Sequence, residues 1–141
     1  MQTTFSLQTN GKGLYEFTGS VAGWLADEGA ASGLLTLFVR HTSCSLLIQE
    51  NADPDVQVDL KEFFERLVPS ADHPLMNYLI HTYEGPDDMP AHIKSSLLPV
   101  SLSIPVSNGR MALGTWQGIY LFEHRSRPHH RQVVAHFLGD R

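Results

Sequence analysis

Eight histidines in 141 residues are more imidazole than a chain this short ordinarily carries. Imidazole is the side chain that ligates metals and moves protons near neutral pH. Four of the eight lie in polar runs that interrupt apolar sequence. His41 lies in Arg40-His41-Thr42-Ser43. His81 precedes, and His92 falls inside, the run Tyr83-Glu84-Gly85-Pro86-Asp87-Asp88-Met89-Pro90-Ala91-His92-Ile93-Lys94-Ser95-Ser96. His124 belongs to Glu123-His124-Arg125. Metal ions take ligands that converge from separate elements, and these four histidines fall at four different element ends. His41, His81, His92 and His124 are therefore the candidate ligands for a divalent metal, Mg²⁺ or Zn²⁺, or for a bound oxyanion. No pair among them has the i, i+4 spacing of helical zinc-protease motifs.

Asp87 and Asp88 precede a helical stretch. They either cap it or hold Mg²⁺ together with the oxygens of a pyrophosphate. Glu50, Asp53 and Asp55 read as a cap and a solvated first turn, which leaves Asn51 as the polar contact in that run. The cations Lys94, Arg125 and Arg127 stand beside the histidines in a chain of net charge −5, a local reversal suited to a phosphate. Arg131 reads as a solvated tail residue. Thr42, Ser43, Ser95, Ser96 and Thr115 offer hydroxyls, but no G-x-S-x-G elbow supports a serine hydrolase. Trp116 and Tyr120 share a strand face with His124, either in the core or stacked on a pyrimidine. The single Cys44 reads as a buried small hydrophobe, suited to a reducing cytoplasm.

These runs are carried by elements with clear periodicity. Thr3–Thr9 alternates as a half-buried strand, Asn10–Gly13 turns, and Leu14–Thr18 reads as the returning strand of a hairpin. Ser20 caps a short helix with Val21, Trp24 and Leu25, ending near Gly29. Leu34–Arg40 barely alternates, as a strand central in a sheet does, and Ser45–Gln49 is a second strand. Asp53-Pro54 starts a helix whose apolar face is Val56, Leu60, Phe63, Phe64 and Leu67. Pro69–Pro74 is loop, and Pro90 opens a helix with Ile93 and Leu97 facing inward. Ser107-Asn108-Gly109-Arg110 is a hairpin turn between Val100–Val106 and Met111 onward. Trp116–His124 alternates and Val133–Leu138 closes the chain; the strand carrying His124 is expected to end there, since Pro128 favours irregular chain.

The fold class is thus α+β: one compact domain over residues 1–141, antiparallel β-sheets packed as a sandwich with two or three inserted helices. Composition agrees, at 42% hydrophobic and 18% charged. The negative charge disfavours nucleic acid, no apolar run approaches a bilayer span, and no secretory leader is visible. The expected location is cytoplasmic.

Gly114-Thr115-Trp116-Gln117, preceded by Gly109, Ser101, Ile104 and Val106, resembles the signature of the YjbQ family. The run Asp87–Ser96, His41-Thr42-Ser43 and Glu123-His124-Arg125 match in the same order, and the resemblance covers essentially the whole chain. It implies a compact α+β trimer. It also implies a weak, secondary thiamine-phosphate synthase activity, which joins an aminopyrimidine-methyl pyrophosphate to a thiazole phosphate and releases pyrophosphate. Under that reading His41, Asp88, His92, Lys94 and His124 are catalytic. Thr42, Ser43, Asn51, Lys94, Ser95, Trp116, Gln117 and Arg125 bind the substrate, a small phosphorylated metabolite. The competing readings are hydrolysis of another phosphorylated metabolite and a trimeric protein that only binds metal or phosphate ligands. Lys94 stands about 200° around a helix from His92, so the two enter one pocket only if the first turn is irregular or the lysine stem bends back.

Overall fold

The computed structural model describes every residue from Met1 to Arg141. In chain order the elements are β1 (Gln2–Asn10), β2 (Gly13–Glu16), α1 (Thr18–Asp27), β3 (Gly33–Val39), β4 (Cys44–Glu50), α2 (Pro54–Leu67), a single 3₁₀ turn (Pro74–Met76), α3 (Asp88–Leu97), β5 (Ser101–Ser107), β6 (Arg110–Met111), β7 (Gln117–Glu123) and β8 (Pro128–Gly139). The strands make two antiparallel sheets, β1-β8-β3-β5-β6 and β2-β7-β4. This is the expected α+β sandwich, with three α-helices.

The period-2 alternation of strands builds the core directly. Leu35, Leu37 and Val39 of β3, Ile104 and Val106 of β5, and Val133, Ala135 and Phe137 of β8 face inward. They meet Cys44 and Leu46 of β4, Ile119 and Leu121 of β7, and Val21 and Leu25 of α1. Burying each large aliphatic or aromatic side chain contributes about 1.5–3 kcal/mol. β3 is central, between β8 and β5, although its outward Leu34 and Phe38 remain half exposed. The Asn108-Gly109 turn takes positive φ at both residues, 53° and 77°, as a two-residue hairpin requires, and pairs Ser107 with Arg110. Asp53 caps α2 by accepting from the Asp55 amide at 2.9 Å. No helix is long and apolar enough to cross a membrane.

Several local expectations are corrected. β1 and β2 are not a hairpin: β1 pairs with β8 and β2 with β7. Gly11 and Gly13, at φ 118° and 147°, let the turn carry the chain from one sheet to the other. α1 starts at Thr18, not after Ser20, because the Thr18 hydroxyl accepts from the Ile119 amide of β7. β7 does not alternate in burial; all of Gly118–Glu123 is buried. Its second face lies under α2, where Phe64 packs edge-on to Phe122 and Gln57 donates to the Tyr120 hydroxyl. α2 buries no residue fully, and Phe63 and Leu67 of its expected apolar face stay exposed.

α3 begins at Asp88 and turns a polar face inward, burying Asp88, Lys94 and Ser95 with Ala91 while Leu97 is exposed. Neither Asp87 nor Asp88 caps it, since both carboxylates are bound elsewhere. β8 starts at Pro128, which puts Arg131 in phase with Val133 and Ala135 and so inside the sandwich. Arg131 is not a solvated tail residue.

Candidate functional site

His81, Asp88 and His92 converge where α3 begins. Their ligating atoms all lie within 4.8 Å of one another. His81 Nε2 is 3.0 Å from Asp88 Oδ2 and His92 Nε2 is 3.5 Å from Asp88 Oδ1. The positions follow from local structure. His92 stands one helical turn after Asp88, on the same face. The loop from Leu79 to Gly85 returns His81 over them, and Tyr83 packs edge-on to its ring. Asp88 is 2% exposed and is oriented from behind by Arg125, whose Nη1 donates to Oδ1 at 2.7 Å.

Arg125 also donates to Asp87 and to the Glu84 carbonyl. β7 does end before His124, which frees Arg125 from strand alternation. Burial alone would raise the Asp87 carboxyl, but donation from the Ser126 amide and from Arg125 holds it at about 2. Two imidazoles and one carboxylate are the donor set of three-ligand catalytic zinc sites and of facial-triad iron sites. The buried Asp88 between two rings fits such an ion.

His92 also lines a cleft of about 530 Å³. Phe38, Val39 and Val100 form its apolar wall; Arg40, His41, Thr42, Ser95 and Ser96 join His92 on the polar side. The Arg40 side chain is exposed and makes no ion pair. Ser95 Oγ donates to the Cys44 carbonyl, which ties α3 to the start of β4. His41 Nε2 accepts from the Gln132 amide at 2.8 Å, so the ring is neutral and carries its proton on Nδ1. Burial, then the nearby Arg131, hold His41 below its ordinary value.

Beneath the cleft lies a buried polar layer. Glu123, fully buried, accepts from Arg131 at both carboxylate oxygens, from the Thr9 hydroxyl and from the amides of His124 and Arg125. Arg131 Nη2 reaches on to Ser43 Oγ at 2.9 Å. This closes a network that pins the His41–Ser43 loop to the β7–β8 corner. Burial raises the Glu123 carboxyl, and the Arg131 and Thr9 bonds outweigh it. His124 is 1% exposed, bonded through Nε2 to Ser45 Oγ at 2.9 Å, with no partner at Nδ1. Burial, with Lys94 next, lowers it to about 3. Lys94 points away from His92, as the 200° offset dictates, and meets Glu65 of α2 at 2.8 Å. Burial pushes Cys44 up to about 12, an unreactive thiol.

The expected site residues therefore fall into four groups. His41, Thr42, His92 and Ser95 line the cleft, and His81, Asp88, His92 and Arg125 form the adjoining cluster. Ser43, Lys94 and His124 lie buried below. Asn51, Trp116 and Gln117 sit elsewhere: Glu50 pairs with Gln117 at one end of the β4–β7 ladder and Cys44 pairs with Glu123 at the other. Six strand steps separate these ends, about 20 Å. At the far end Asn51 Nδ2 donates to Glu16, Gln117 accepts from the Gly114 amide and Trp116 is 63% exposed. Of the expected metal ligands, His81 and His92 converge with Asp88, while His41 and His124 have their Nε2 atoms bonded to protein partners.

Sequence reasoning did not assign Arg40 or Ser96 to the site, nor Glu123 and Arg131 to its support. Arg131 was detectable by its even spacing from Val133, Ala135 and Phe137.

A family model described as UPF0047 protein YjbQ-like matches residues 3–140. The chain belongs to the YjbQ family. It is 50% identical to UPF0047 protein sll1880 of Synechocystis over 139 residues, 99% of this chain and 92% of that one. It is 45% identical to UPF0047 protein YjbQ of Escherichia coli O157:H7 over 140 residues, 99% and 98% of the two chains. The fold is similar to the crystal structure of an uncharacterised YjbQ/UPF0047 protein from Clostridium acetobutylicum, with a TM-score of 0.84 and 33% identity over 96% of this chain and 99% of that chain. It is also similar to a conserved hypothetical protein from Thermus thermophilus, with a TM-score of 0.82 and 34% identity over the same shares.

Proposed function

We propose that this YjbQ chain is a metal-dependent enzyme acting on a small phosphorylated metabolite. In that reading His81, Asp88 and His92 hold the ion and the adjoining cleft seats the phosphate. One observation carries it: His92 belongs to both, so an ion on the cluster would border anything in the cleft. Imidazole donors favour Zn²⁺ or another transition ion over Mg²⁺, which prefers oxygen. Bound there, the ion would supply Lewis-acid neutralisation of phosphate oxygens. Arg40 offers a bidentate donor to a phosphate, and Thr42 and His41 Nδ1 add neutral donors, while the Ser96 hydroxyl donates to the His92 carbonyl. Asp88, held by Arg125, keeps its carboxylate turned to the two imidazoles. Lys94 stays with Glu65.

The reaction favoured is the one the family resemblance implies: the bond between an aminopyrimidine methyl carbon and pyrophosphate breaks, the thiazole nitrogen bonds to that carbon, and pyrophosphate leaves. The chain is expected to work as a homotrimer in a reducing, cytoplasmic compartment. Calorimetry with Zn²⁺, Mn²⁺ and Mg²⁺ tests the first part: saturable binding by the wild type and at least tenfold weaker binding by His92→Ala are expected. An Arg40→Met variant should then lose affinity for pyrophosphate. Turnover of the two thiamine precursors against a panel of phosphorylated metabolites tests the second part. A wild type that binds no divalent ion would overturn the metal reading.

A further inference from the structure

The cleft beside the cluster holds about 530 Å³, within the roughly 300–1,000 Å³ that organic ligands occupy. A phosphate group fills only a minor part of that space. The remainder must suit whatever the phosphate is attached to, and two features of the walls say what that body is.

The first is the apolar side, made by Phe38, Val39 and Val100. β3 alternates there, with Leu37 and Val39 buried and Phe38 turned outward at 47% exposure. Arg40 continues the outward phase of Phe38, and its amide still donates to the Gln132 carbonyl at 3.2 Å. Phe38 and Arg40 therefore leave the chain on one face, about 7 Å apart. A half-exposed aromatic ring stands beside an exposed guanidinium.

The second is the hydrogen-bonding sense of the polar side. Arg40 only donates. His41 accepts from the Gln132 amide at Nε2, which leaves an N–H at Nδ1. The hydroxyls of Ser95 and Ser96 donate to the Cys44 and His92 carbonyls. No carboxylate or carboxamide lines the cleft, and Asp88, behind His92, already meets both imidazoles and Arg125. Such walls suit an anion, which accepts, and an apolar body, which needs no partner. They do not suit a sugar, whose hydroxyl groups need acceptors once they leave water.

We propose that the cleft selects phosphate esters of a small apolar or aromatic body and rejects sugar phosphates, with Phe38 as the specificity-determining residue. The body lies on Phe38 and Val100, the phosphate meets Arg40, and a short link joins the two. A hydroxylated body of equal charge leaves its donors unmatched against Phe38 and Val100. This selection rests on the phosphate half of the reading above and stands apart from the ion.

Calorimetry on zinc-treated protein with three monoesters of equal charge tests it: methyl phosphate, phenyl phosphate, and glucose phosphate esterified at its primary hydroxyl. The wild type should bind phenyl phosphate about tenfold more tightly than methyl phosphate. Glucose phosphate should bind no more tightly than methyl phosphate. Phe38→Ala should remove the phenyl advantage and leave methyl phosphate unchanged, with circular dichroism confirming the fold. Should that variant not fold, Val100→Phe gives the same test, since a filled wall weakens phenyl phosphate alone. Glucose phosphate bound as tightly as phenyl phosphate, or a loss in the variant equal for all three esters, overturns the proposal. Binding of none of the three overturns the phosphate reading itself. Zinc that fails to bind overturns the metal reading only, and the ranking of the esters still decides this one.

Discussion

At the scale of single residues, the buried Glu123–Arg131 pair is the most consequential feature, because it holds the loop that carries His41. Two charges taken from water are tolerated only when every oxygen and N–H is matched, and here Thr9, Ser43 and two backbone amides complete the set. Arg131→Met strands the carboxylate and should destabilise by about 3–5 kcal/mol in urea unfolding. The double variant with Glu123→Gln should lose clearly less than the two singles summed, the mark of direct coupling. His124 gives a pH signature. Its folded value of about 3 lies below its ordinary 6.5, so as pH falls the unfolded chain takes up the proton first. Its contribution is therefore complete above pH 6.5 and declines by about 1.4 kcal/mol per unit towards 3. Asp87, at about 2 instead of 3.8, adds to the loss only below about pH 4. Unfolding free energies at pH 7 and 5 should fall less steeply for His124→Gln than for the wild type; equal slopes would mean that the folded protein protonates His124.

The elements depend on where strands approach closely and where a helix does not. A Cβ on Gly33 would fall well inside contact distance of the Leu138 carbonyl oxygen, within the β3–β8 ladder that forms the centre of the larger sheet. Gly33→Ala must push these backbones apart and should cost about 1–3 kcal/mol. Gly23, in the middle of α1, has nothing within 4 Å of its missing Cβ. Gly23→Ala should instead stabilise by about 0.5–1 kcal/mol, from helix propensity and a less disordered unfolded chain. Thermal melts of the two variants should therefore move in opposite directions. A downward shift for Gly23→Ala would show that α1 does not tolerate even a methyl group at that position.

For the whole molecule, the outer face of the five-stranded sheet and the His81 loop together leave Leu138, Tyr78, Ile80 and Tyr83 largely uncovered and Leu34 and Phe38 half exposed. Light scattering at micromolar concentration should give about three chains per particle, as the family resemblance implies. A particle of one chain would contradict that expectation.

Local signals in the chain were enough to place β3 centrally, to cap α2 at Asp53, to close the Asn108-Gly109 hairpin and to end β7 ahead of His124. The first three are decided by a residue's neighbours, an apolar run, a cap beside a proline and a turn that needs positive φ; β7 ends at Glu123 although Pro128, expected to favour irregular chain, instead opens β8. His92 and Asp88 were legible too, because both fall in one polar run at the start of one helix. The partner of β2, the burial of Arg131 and the turning of Lys94 towards α2 were not, because each depends on what arrives from a distant part of the chain. Nor was the separation of Trp116 from the histidines. A motif shows that residues stand near one another in sequence, whereas the antiparallel ladder of β4 and β7 sets them about 20 Å apart in space, and only pairing across that ladder reveals the distance.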